Sequence, residues 1–103
     1  MNLKARVFDV KDKQIKIVAF GDSITEAVIG LGPEQKWTVL LEKKLNRHSR
    51  DIYWTVVNSG VGGNTSREGL ARIEKDVFAH KPDIVLVEFG GNDTVADKKR
   101  GFS

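Results

Sequence analysis

Three apolar, β-branched runs, each stopped by a glycine-bearing polar cluster, constrain this chain more than any other feature. Residues 15–20, Ile-Lys-Ile-Val-Ala-Phe, run into Gly21-Asp22-Ser23-Ile24-Thr25. Residues 52–57 lead to Gly60-Val61-Gly62-Gly63-Asn64-Thr65, and residues 84–87 lead to Gly90-Gly91-Asn92-Asp93. Branched and aromatic side chains suit the pleated surface of a strand, so each run reads as one. Helical spacing fills the intervals. Trp37, Leu40, Leu41 and Leu45 share one face of a first helix, and Leu70, Ile73 and Val77 form the apolar stripe of a second. Thr65 and Glu68 have the spacing of a capping box, Glu68 and Arg72 that of an i,i+4 ion pair, and Lys81-Pro82 closes the helical stretch. The order is β-α-β-α-β, the signature of a parallel sheet in an α/β domain. Residues 84–87 are apolar without interruption, as expected of a strand covered on both faces. Residues 3–9 alternate weakly and read as a preceding edge strand, with Lys11-Asp12-Lys13-Gln14 as the turn.

A chain of 103 residues is expected to form a single domain. With 40% hydrophobic and 30% charged residues it belongs among soluble globular chains rather than disordered ones. No run approaches the ~18 apolar residues of a membrane span. Met1-Asn2-Leu3-Lys4-Ala5-Arg6 carries no apolar signal segment, and there is no cysteine. The expectation is a cytoplasmic protein. The net charge of +3 comes from basic residues interleaved with acids, as in Glu42-Lys43-Lys44, which reads as a solvated surface and not a nucleic-acid patch.

The carboxyl ends of parallel strands share one edge of the sheet, where ligands bind in open α/β folds. Ser23, the turn at residues 60–63 and Asn92 therefore converge on one crevice. A serine at the start of a helical turn lies beside unpaired N–H groups that favour developing negative charge. A glycine turn lets a main-chain N–H approach a ligand closely. An asparagine amide is a neutral donor. Each cluster alone also has a plain structural reading: Ser23 or Thr25 as a helix cap, the glycines as a tight turn, Asn92-Asp93 as turn chemistry. Neither a G-x-G-x-x-G fingerprint nor a P-loop is met, since position 65 is Thr and no Gly-Lys-Ser/Thr follows.

Taken together, in order, each at a strand exit, the clusters resemble the SGNH hydrolases, the GDSL esterase/lipase family, over residues 15–94. The resemblance implies a three-layer α/β/α, flavodoxin-like parallel sheet. This chain would hold only the 2-1-3 strand portion, as a single incomplete domain over residues 1–103. It implies a serine esterase or lipase that cleaves a carboxylic ester through an acyl-enzyme, with no cofactor and no metal. Ser23 matches the nucleophile and an oxyanion N–H, Gly63 the second oxyanion N–H, and Asn92 the side-chain oxyanion donor. The family's Asp-x-x-His pair has no counterpart here. The two histidines, His48 and His80, precede strands two and three and are expected at the opposite, amino-terminal edge, on the surface. The chain is therefore expected to be nearly inert alone. Its third strand is expected to present an open edge for self-association or for a complementing C-terminal segment. Two other readings stand beside this one: a nucleotide- or phosphate-binding α/β module built on the glycine turn and the Thr65-capped helix, and a non-catalytic interaction domain using the sheet edge.

Overall fold

The first apolar run does form a strand, longer at both ends than its β-branched centre: β1 spans Lys13–Gly21. The structure is a computed structural model that describes residues 13–27 and 32–94. The expected strand at residues 3–9 and the first half of the expected turn lie outside them. Lys13 and Gln14, expected in that turn, already belong to β1. The chain continues through α1 (Ser23–Glu26), a 3-10 turn (Pro33–Gln35), α2 (Trp37–His48) and β2 (Ile52–Gly60). Then come α3 (Ser66–Ala71), α4 (Ile73–Asp76), a second 3-10 turn (Phe78–His80) and β3 (Ile84–Glu88), with a helical turn at residues 91–94. The three strands are parallel in the order β2-β1-β3. No helix among the described residues is long and apolar enough to cross a membrane.

Alternation along β1 gives this central strand two covered faces. Val18 and Phe20 point to one side, where they form the core with Val77, and Val57, Ile73 and Phe89 pack against it. Phe20 and Phe89 meet edge to face with ring centroids 5.1 Å apart. Ile17 and Ala19 are buried on the other side. There Asn58, level with Ala19 in the register, donates to Thr38 Oγ1 of α2 at 3.1 Å.

The helices depart from their expected forms. The capping box of Thr65 and Glu68 is present. The second helix is not continuous: it breaks at Arg72, whose φ of −112° and ψ of 10° leave the α region. Arg72 pairs with Asp76 at 3.0 Å, whereas Glu68 is engaged with Thr65 at the cap. With the helix broken, Leu70 lies outside the stripe and is 70% exposed, while Val77 is fully buried. On α2 the most buried residue is the polar Thr38, because Asn58 supplies its partner. Trp37, Leu40 and Leu41 instead line a surface groove of about 450 Å³ rimmed by Lys43, Lys44 and Arg47. β3 also differs from the expectation of a strand covered on both faces. It is an outer strand, and Ile84, Val85, Leu86 and Val87 are all exposed, Val87 to 67%.

Candidate active site

The register brings the three polar clusters to one edge. Gly21, the last residue of β1, is level with Gly60 on one side and with Glu88 on the other. Each strand therefore releases its cluster beside the next. Only glycine fits at Gly21, because a methyl there would collide with Thr25 Oγ1 and the Glu88 carbonyl.

Beyond Gly21 the chain turns sharply. The buried Asp22 caps α1, its Oδ1 accepting from the Ile24 N–H at 3.0 Å. Ser23 is the first residue of that turn and is exposed. Two long-range bonds hold α1 in place. The Thr25 hydroxyl donates to Glu88 Oε1 at 3.1 Å, and Asn58 Nδ2 donates to the Thr25 carbonyl at 2.7 Å. Glu88 is held above the usual carboxylate range by burial and by the neighbouring Asp22 carboxyl, with the Thr25 hydroxyl opposing the shift.

The second cluster packs on the first. The Gly62 N–H donates to Glu26 Oε1 at 2.9 Å, and a methyl on Gly62 would sit 3.7 Å from Ser23 Cβ. The Val61 N–H donates to the Gly21 carbonyl at 3.0 Å. Gly63 has φ +81°, a left-handed conformation that a side chain would strain. The third cluster is bound to the second. Asn92 Nδ2 donates to the Asn64 carbonyl at 3.0 Å. The Asp93 carboxylate accepts from the Ser66 N–H at 2.7 Å and from the Ser66 hydroxyl. Ser23, Gly63 and Asn92 thus belong to three segments that are tied to one another at a single end of the sheet.

The two histidines lie at the other end. His48 closes α2 just before β2, whose first residue is level with Lys13. At ~3.3 Å per residue, β1 puts about 25 Å between that level and the exit toward Ser23. His80 precedes β3, whose first residue is level with Ile17, still about 13 Å of strand short of Gly21. A base must come within about 3 Å of the proton it takes, directly or through one water.

The helix start that a phosphate would use is already filled. The Thr65 N–H donates to Glu68, the Ser66 N–H to Asp93 and the Glu68 N–H to Thr65 Oγ1, so an anion there would have to displace two carboxylates. Among the described residues, no group of three or more His, Cys, Asp or Glu side chains gathers as a metal ligand set. Sequence patterning passes over Glu26, Asn58 and Glu88, names Asp22 and Asn64 within their clusters without a role, and assigns Arg72 to an i,i+4 pair with Glu68.

Comparison with known proteins points the same way. Esterase TesA of Pseudomonas aeruginosa is 42% identical over 77 residues, which cover 75% of this chain and 37% of that protein. An arylesterase of Vibrio mimicus is 38% identical over 87 residues, 84% of this chain and 40% of that protein. The crystal structure of TesA superposes with a TM-score of 0.68 at 39% identity, covering 85% of this chain and 45% of that one. The chain therefore spans less than half the length of these relatives. Residues 19–101, which include all three clusters, match the GDSL-like lipase/acylhydrolase family, and with the sheet order agreeing, the chain belongs to that family.

Proposed function

We propose that this chain supplies the nucleophile and the oxyanion donors of a serine ester hydrolase. The observation that carries the reading is the direct linkage of three strand-end segments, Ser23 against Gly62 and Asn92 on the Asn64 carbonyl. In the reaction, Ser23 Oγ attacks the ester carbonyl while a base takes its proton. The Ser23 and Gly63 N–H groups and one N–H of the Asn92 carboxamide hold the oxyanion. The carbonyl re-forms, the alcohol leaves with the proton, and water hydrolyses the acyl-enzyme by the same steps.

The base comes from a segment other than those bearing His48 and His80. The relatives are more than twice as long as the region they share with this chain. The apolar outer strand β3 is the natural seat for a complementing segment, or for a second copy when that segment is absent. Loss of a triad base costs on the order of 10⁶-fold in turnover, so the chain alone hydrolyses p-nitrophenyl acetate very weakly. The test joins this chain to the part of P. aeruginosa TesA that lies beyond the shared region. The fusion is expected to turn over p-nitrophenyl acetate, to lose that activity with Ser23→Ala, and to lose about 10²–10³-fold in kcat with Asn92→Ala. A folded, active fusion indifferent to Ser23→Ala would overturn the reading.

A further inference from the structure

Arg72 sits at the break between α3 and α4, and its guanidinium reaches beyond both. Nε donates to Asn64 Oδ1 at 2.6 Å, and Nη2 to the Gly21 carbonyl at 2.8 Å. Nη1 donates to the Ser59 carbonyl at 2.9 Å and to Asp76 Oδ2 at 3.0 Å. The plane lies against Phe20, with Cζ 4.6 Å from the ring centroid, and Phe20 in turn meets Phe89, the residue before the third cluster. Only the Asp76 bond is a local helix contact. The others go to the end of β1, the end of β2 and the turn carrying Gly63. Asn64 completes the chain of contacts: its side-chain oxygen accepts from Arg72 and its main-chain oxygen from Asn92.

We propose that Arg72 is a positioning residue for the oxyanion site, one planar group that sets the spacing of the Ser23, Gly63 and Asn92 segments. The inference rests on the reading of those three groups as one site. A capped helix joint would need only the Asp76 pair. The additional acceptors lie in three directions, which a rigid fork of five donors can serve at once and the point charge of a lysine cannot. The break in the helix follows from the same demand, since a regular turn would aim residue 72 along the helix surface.

The test is Arg72→Lys in this chain, read by ¹⁵N NMR. The expected result is a folded protein with displaced Gly63 amide and Asn92 carboxamide resonances. The Asn92 carboxamide is also expected to exchange with solvent about 10-fold or more faster. The Trp54 indole, bonded to Ser49 at the far end of the sheet, stays unmoved. Asn64→Ala removes only the Nε acceptor, keeps the carbonyl that Asn92 uses, and is read by the Asn92 carboxamide alone, since Gly63 adjoins the substitution; the carboxamide signal is expected to shift and to exchange faster. Should Arg72→Lys not fold, this second variant decides. Gly63 and Asn92 signals unchanged in a folded variant overturn the proposal, as does an equal displacement of Trp54, which marks general loosening. Neither readout needs turnover, so failure here is separable from loss of Ser23-dependent hydrolysis.

Discussion

Glu88 shows how a single residue beneath the site couples it to pH. Burial and the adjacent Asp22 carboxyl raise its pKa, so the folded protein holds this proton more tightly than the unfolded chain does. The stability it contributes is full in acid and is lost as pH rises through the raised value. Glu88→Gln, which imitates the protonated form, is expected to remove the part of the fall in urea midpoint that sets in as pH rises above the ordinary glutamate range, and to be at least as stable as the parent at neutral pH. A Glu88→Gln profile with the same slope as the parent's would assign the pH dependence to other carboxyls. At Gly21 the argument is steric. Gly21→Ala drives a methyl into Thr25 and the Glu88 backbone, neither of which can retreat, and is expected to cost at least the ~1–3 kcal/mol of core overpacking, read as a lowered denaturant midpoint.

Among the elements, α3 depends on its cap, because six residues are too few to be helical unaided. Thr65→Ala is expected to cost about 1 kcal/mol and to speed amide exchange at Glu68 before any other helix responds. The strands were legible in the sequence because β-branched runs and glycine stops are local signals. The cap and the 2-1-3 order, the latter through family resemblance, were equally accessible. The form of the second helix was not. Its break falls at Arg72, whose bonds to Gly21, Ser59 and Asn64 no 3.6-residue periodicity can register, and Leu70 lies outside the expected stripe. Thr38 and Asn58 escaped for the same reason, since a polar pair buried between a helix and a strand looks like two surface residues when read singly. The three clusters of the site could be named in advance, but the side chains that brace them, Glu26, Arg72 and Glu88, could not.

At the scale of the whole molecule, β3 is an outer strand whose far edge has no partner among the described residues. Four consecutive apolar residues on an outer strand favour pairing with another chain. Light scattering after size exclusion is expected to give a mass above 11.5 kDa, and Val87→Lys to lower it toward that value. A monodisperse 11.5 kDa species before any substitution would remove the edge from consideration. The sheet order carries a further consequence for biogenesis. Of the three described strands β1 is made first yet lies in the middle, so both of its described neighbours are synthesised after it. Until β2 leaves the ribosome, the strand with the most deeply buried side chains has neither of its described neighbours beside it. Nascent β1 is then the segment most in need of a chaperone, and slowing translation ahead of β2 prolongs that dependence.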